Sequence, residues 1–142
     1  MNRQDAKSAK KGPEPDAELD ALAFQVIGAA IEVHRHLGPG FLESIYHEAM
    51  EIELGLRDIP YTSECPVTIN FKGHRLHREH RLDLLVNKRL VVEFKAVQAL
   101  EPIHEAVVRS YLKATQKELA LLINFNTTVL KDGIRRIINS PS

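Results

Sequence analysis

Tryptophan is absent, aromatic residues make up 6% of the chain, and there is a single cysteine, Cys65. One thiol cannot close an internal disulfide, so a disulfide-stapled scaffold is excluded. With Pro66 behind it and no conspicuous partner, Cys65 reads as a buried or half-buried loop thiol and not as a nucleophile. No apolar run approaches the roughly 18 to 20 residues of a membrane span, and the N-terminal stretch lacks the apolar segment of a signal peptide. The expectation is a cytoplasmic protein with no membrane partner. Net charge is missing too, because 19 Lys and Arg balance 19 Asp and Glu. Composition alone therefore gives no general signal for a polyanionic partner.

What is present is enough apolar material for a core: 142 residues, 44% of them hydrophobic, fit one globular domain over residues 16–142. Residues 1–15 mix Lys, Ser, Gly, Pro and Asp with almost nothing to bury, which predicts a disordered tail. The neutral total also hides an asymmetry. Through Cys65 there are 6 Lys and Arg against 12 Asp and Glu, and from Pro66 onward 13 against 7. Seven of the basic residues fall between Lys72 and Lys95, where a polyanion could approach; a solvated, charged sheet surface explains the same charges without a ligand.

Apolar residues recur at Leu22, Val26, Ala30, Val33 and Leu37, a helical stripe that Gly38-Pro39-Gly40 must terminate. A second helix follows, with Leu42, Ile45, Ala49 and Met50 on or near one face and Glu43, His47 and Glu51 recurring every four residues on another. The period then changes. Val67, Ile69 and Phe71 alternate, Lys72-Gly73 turns, and extended runs over about 75–86 and 90–95 complete a meander. Glu101-Pro102 opens a third helix, expected to send Ile103, Val107, Tyr111 and Leu112 inward. Residues 119–123 read as a buried strand, and Asp132 as the cap of a last helix through Ile134, Ile137 and Ile138. The order predicts an α/β or α+β sandwich.

Within the meander, Asp83, Glu93 and Lys95 are charges in otherwise apolar strands. Burying them is costly unless they pair with each other or hold a metal. A three-residue hairpin loop, Asn87-Lys88-Arg89, would pair Val86 with Leu90, Leu84 with Val92 and Leu82 with Phe94, giving one wholly apolar face. A two-residue loop would split the two acids between faces, so burial selects the longer loop. Asp83 then stands directly opposite Glu93, a repulsive pairing unless a cation intervenes. The cation is either Lys95 with Arg81, as an ion-pair network, or a divalent ion such as Mg²⁺, which prefers carboxylate oxygens and keeps several waters.

These residues resemble the metal-dependent PD-(D/E)xK nuclease superfamily, and more closely the GxxExxY protein family. The segments that carry the likeness are Gly40-Phe41-Leu42-Glu43-Ser44-Ile45-Tyr46, Arg81-Leu82-Asp83-Leu84-Leu85-Val86, Val92-Glu93-Phe94-Lys95-Ala96-Val97, Leu122-Ile123-Asn124-Phe125-Asn126 and Leu130-Lys131-Asp132-Gly133-Ile134. The resemblance covers about residues 24–139. It implies a restriction-endonuclease-like core, a mixed sheet with a three-stranded meander flanked by helices. It also implies Asp83 and Glu93 as ligands of Mg²⁺ or Mn²⁺, Lys95 as the catalytic lysine, Glu43 as an additional helix-borne acid, and Tyr46 and Tyr111 in support. The implied activity is hydrolysis of nucleic-acid phosphodiester bonds by a metal-activated water, in DNA or RNA; a homo-oligomer stays open. One departure is Val107, four residues before Tyr111, where such families commonly carry a glutamine. It keeps a second reading in play, a nuclease-fold module that binds nucleic acid or a protein without turnover.

The remaining polar clusters predict less. Alternation puts His77 opposite His74 and His80, against three-fold metal ligation from one strand. His34 and His36 sit where they would meet the C-terminal dipole of the first helix.

Overall fold

The computed structural model describes residues 14–139. Of the tail expected over residues 1–15, residues 1–13 lie outside the described residues, and Pro15 is buried. Helix α1, Ala17–Leu37, starts at Asp16, whose Oδ1 accepts the Leu19 amide at 2.8 Å. Glu18 and Asp20 in its first turn and Arg35 and two histidines in its last suit the helix dipole. Gly38 ends it with φ 67°, a left-handed angle that glycine adopts without strain. His34 reaches farther than the dipole, with Nε2 2.8 Å from the Thr127 carbonyl oxygen.

Helix α2 spans Glu43–Leu56. Its buried residues are Tyr46, Met50 and Leu54, whereas Leu42 and Ile45, expected inside, are exposed. The helix is rotated from the expected facing because Tyr46, not among the expected inward residues, is the larger apolar body and stacks on Phe125 with ring centroids 4.6 Å apart.

The sheet strands are β1 (Tyr61–Val67), β4 (His80–Val86), β5 (Leu90–Lys95), β6 (Leu119–Asn124) and β7 (Ile134–Ile138), ordered β1-β4-β5-β6-β7. Between β1 and β4 the chain leaves the sheet to make a small hairpin of β2 (Asn70–Phe71) and β3 (His74–Arg75). The meander is thus β1-β4-β5. The alternating Val67, Ile69 and Phe71 are the end of a core strand and the start of an excursion, because Ile69 is half-buried and Phe71 exposed. Cys65 is half-buried as expected, within β1 instead of a loop.

Strands β4 and β5 pair Val86 with Leu90, Leu85 with Val91 and Leu84 with Val92, the register of the three-residue loop. Helix α3, Pro102–Thr115, crosses over to parallel β6. It begins with Pro102 and a reciprocal box in which the Glu101 side chain accepts the His104 amide and His104 Nδ1 accepts the Glu101 amide. Val108 and Leu112 are its buried residues; Ile103 and Val107 are exposed and Tyr111 is half-buried. The inward stripe is therefore turned one residue from the expected one.

The expected last helix is a strand. Residues 130–133 make one 3₁₀ turn, and β7 follows antiparallel to β6, pairing Ile137 with Ala120 and Ile134 with Ile123. Three isoleucines in five residues favour extended backbone, and β6 offers an open edge that a helix would leave unpaired.

Two apolar clusters sandwich the sheet. Leu84, Val86, Leu90, Val92 and Phe94 pack with α1 and α2, while Val91, Ala120, Leu122 and Ile137 pack with Val108 and Leu112 of α3. Strand β6 is buried along its whole length, which explains its uninterrupted apolar run. Leu82 departs from the expected face and joins the α3 cluster. The alternation changes phase where Asp83 and Glu64 face each other between the pairs Ser63–Leu84 and Cys65–Leu82, and Glu64 has φ 56°. That irregular step turns the carboxyl-bearing part of β4 out of the apolar pattern.

Candidate active site

Beside this step the β4–β5 ladder is bridged by side chains. Asp83 and Glu93 do not simply face one another: Glu93 Oε2 accepts the Asp83 amide at 2.8 Å, and Asp83 Oδ2 accepts the Phe94 amide at 2.7 Å. Each carboxylate thereby satisfies a backbone donor of the other strand and keeps one oxygen free of such bonds. The reciprocal clasp explains how two acids sit side by side without a direct ladder pair.

Glu93 is buried. Burial pushes its carboxyl up to about 8, the nearby Asp83 charge pushes the same way, and the Asp83 amide and Lys95 pull it back. Asp83 is also raised, first by burial, against the Phe94 amide, His47 and Lys95. Glu43, at the start of α2 and exposed at the rim, is raised by partial desolvation and by Asp83, with Lys95 opposing. Three carboxyl groups from α2, β4 and β5 thus share the field of one lysine, half-buried at the end of β5. The expected set of Glu43, Asp83, Glu93 and Lys95 is brought together in space.

Tyr46 and Tyr111 take separate places. The Tyr46 hydroxyl donates to the Gly38 carbonyl oxygen at 2.5 Å and accepts the Phe41 amide at 3.1 Å. It clasps the turn that delivers Glu43, while Gly40 supplies the φ of 111° that the turn needs. The spacing Gly40, Glu43, Tyr46 is therefore one device: a turn, the acid it presents, and the hydroxyl that holds the turn. Tyr111 stacks on His80 with centroids 4.1 Å apart, and burial, then Glu93 and Asp83, raise its phenol. His80 Nε2 lies 3.9 Å from Glu93 Oε1, so this pair links α3 to the acids of the sheet.

Three neighbours were not assigned to the site from the sequence. His47 Nε2 meets Glu51 Oε2 at 3.1 Å and Ser63 Oγ at 3.0 Å, and Ser63 Oγ donates to the same Glu51 carboxylate. Its Nδ1 faces Asp83 Oδ1 at 3.8 Å and Glu64 Oε2 at 3.9 Å. His47, Glu64 and Asp83 each bring one ligand-type atom within 4.8 Å of the others. His47 lies one turn after Glu43, which was signal enough to find it; Glu64 is placed by β1–β4 pairing and gave none. Asn124 is the third. Buried at the end of β6, it bonds both the amide and the carbonyl oxygen of Val97, at 3.0 and 2.9 Å, and so fixes the segment just after Lys95.

A mixed sheet whose central strands carry an acid on β4, an acid and a lysine on β5, and a helix-borne acid across the cleft is a restriction-endonuclease-like arrangement. The sequence profile of the PD-(D/E)XK nuclease superfamily matches residues 20–137, and the chain belongs to that superfamily. No curated protein matches it. Among the described residues, no helix is long and apolar enough to cross a membrane.

Proposed function

We propose that this protein is a divalent-metal-dependent nuclease, in which Asp83 and Glu93 hold Mg²⁺ or Mn²⁺, Glu43 assists them and Lys95 serves the attacking water. The observation that carries the reading is the convergence of three carboxyl groups, each raised above its ordinary value, on one lysine. The free oxygens of Asp83 and Glu93 are hard donors of the kind Mg²⁺ prefers. The donor set fits such an ion, and a bound cation relieves the repulsion that raises these groups. His47 Nδ1 and Glu64 stand beside Asp83 as further donors, a mixed set better suited to Mn²⁺. When bound, the ion supplies Lewis acidity and an acidified water.

The chain's own contributions follow from their places. The Asp83 and Phe94 amides hold one oxygen of each carboxylate and leave the second, Glu93 Oε1 facing His80 and Asp83 Oδ1 facing His47, for a ligand. The Lys95 ammonium, a donor only, orients the water or a non-bridging phosphate oxygen and offsets charge that grows as the oxygen–phosphorus bond to water forms. Hydrolysis ends with the hydroxyl on phosphorus and a proton on the leaving oxygen. The GxxExxY spacing supports Glu43 as part of this set, through the Tyr46 clasp.

The second reading, a binding module without turnover, is favoured by one observation. Val107 is exposed on α3, one turn before Tyr111, and offers no polar group where relatives commonly place an amide. The experiment is hydrolysis of single-stranded and duplex DNA and RNA with Mg²⁺ or Mn²⁺, comparing the protein with Lys95→Ala. The expected loss is about 10²-fold or more; equal rates would overturn the enzyme reading and leave the module.

A further inference from the structure

The excursion between β1 and β4 is the most exposed part of the described chain. Twelve residues, 68–79, separate the paired Val67 and His80, and every residue from 70 to 81 is exposed. The hairpin holds through the pairs Asn70–Arg75 and Phe71–His74 and a bond from the Leu76 amide to the Ile69 carbonyl oxygen at 2.8 Å. Its two-residue turn has φ 51° at Lys72 and 81° at Gly73, the left-handed pair that a tight hairpin requires. A lone two-stranded ribbon in water has little to stabilise it, and this one leaves Phe71 60% and Leu76 42% exposed.

Its charge is equally unsatisfied. Arg35, Arg57, Arg81, Arg89, Arg135 and Arg136 all have carboxylate partners. Among the described residues, Lys72, Arg75 and Arg78 of the arm have none. Arg109, on α3, is the other arginine in that position. The arm returns to the sheet at His80, 3.9 Å from Glu93 Oε1, so its cations lead to the candidate cleft.

We propose that residues 68–79 are a DNA-binding arm that enters the major groove of a duplex and sets Lys72, Arg75 and Arg78 against the flanking phosphates. This deepens the nuclease reading above and rests on it for the place of the cut. The B-form major groove, about 12 Å wide, admits a two-stranded ribbon. The deep, narrow major groove of duplex RNA does not. Single strands fit less well, since such binders stack successive bases on several aromatics, whereas the arm has one, and Lys72 Nζ already lies 5.5 Å over the Phe71 ring.

The test uses the full chain in the Lys95→Ala background, with binding to a labelled 20-base-pair DNA duplex, its single strand and the matching RNA duplex read by anisotropy across salt. With Lys72→Ala, Arg75→Ala and Arg78→Ala combined, duplex DNA affinity falls about tenfold or more at 0.1 M salt. The slope of log affinity against log salt shrinks by about 0.9 per lost phosphate contact. Single-strand and duplex RNA binding change less, and the thermal midpoint stays put because Lys72, Arg75 and Arg78 are exposed and outside both clusters. Conservative replacement instead of truncation (Arg75→Lys with Arg78→Lys, Lys72 unchanged) keeps most of the slope. An unchanged duplex affinity, or an equal loss on single strands, overturns the arm. Arm-dependent duplex binding without hydrolysis by the unmodified protein leaves the arm standing and removes the nuclease; hydrolysis of single strands with no duplex binding does the reverse.

Discussion

Burial holds the Glu93 carboxyl at about 8 in the folded, metal-free chain, against about 4.3 to 4.5 for a solvated glutamate. A folded-state value raised above the unfolded one means that the unfolded chain ionises first. The stability tied to this group is therefore complete below about pH 4.5, is lost as pH rises from there through about 8, and changes no further above. Glu93→Gln keeps an oxygen for the Asp83 amide and removes the charge. With chelator present, urea denaturation of the unmodified protein relative to Glu93→Gln shows the unmodified chain losing ground between pH 5 and 8. A difference that stays constant with pH would mean that the carboxyl is not the strained group. Asp83→Asn repeats the logic less strongly, because Asp83 is less buried. That the charges in these apolar strands need partners was legible from residue types alone; the clasp was not, because side-chain bonds to the backbone of a neighbouring strand leave no mark on sequence spacing.

At the scale of elements, α2 is aimed by a hydroxyl. Tyr46→Phe keeps the stack on Phe125 and removes the bonds to Gly38 and Phe41, at a cost of about 1 to 2 kcal/mol. If the proposed nuclease function holds, the substitution also lowers hydrolysis beyond what the lost stability explains, since Glu43 is then presented by a looser turn. Denaturation and initial rates on the same preparation check both, and a stability loss with an unchanged rate would confine Tyr46 to the core. A second element-level prediction concerns the entry to β7. A Cβ at Gly133 would meet the Asn124 carbonyl oxygen and crowd Thr127, so Gly133→Ala costs about 1 to 3 kcal/mol, read from the urea midpoint. The helices α1 and α3, strand β6 and the β4–β5 register could be read from caps, runs and alternation. The β7 segment could not: Ile134, Ile137 and Ile138 fit a helical stripe as well as an edge strand, and the partner strand decided. Leu42 and Ile45 misled for a related reason. Apolar character marks a candidate inward face, but Tyr46 reached Phe125, and that contact set the rotation of the helix.

For the molecule as a whole, two apolar clusters fix one sheet from both sides, and the strand carrying two of the candidate site residues lies between them. The Asp83 and Glu93 carboxyl groups are held in place by their bonds to the backbone of the neighbouring strand, so a proton or a cation is the ready way to relieve their repulsion. On the proposed metal-dependent reading, cation binding and protonation compete, and cation affinity is expected to rise with pH over the window in which Glu93 ionises. Binding to the folded chain alone stabilises it by RT ln(1 + [L]/Kd), about 2.7 kcal/mol at one hundred times Kd. Thermal unfolding with Mg²⁺ or Mn²⁺ in excess is expected to show an upward shift that is larger at pH 8 than at pH 6 and is lost in Asp83→Asn. Glu43→Gln retains part of the shift, because Glu43 approaches from an exposed helix start instead of the clasped strands. His47→Ala separates the two donor sets: it lowers the Mn²⁺ shift more than the Mg²⁺ shift if Nδ1 and Glu64 contribute ligands, and lowers neither if the ion sits with Asp83 and Glu93 alone. A protein whose midpoint ignores both cations at pH 8 would have a cleft relieved by Lys95 and protons, the ion-pair network that the sequence also allowed.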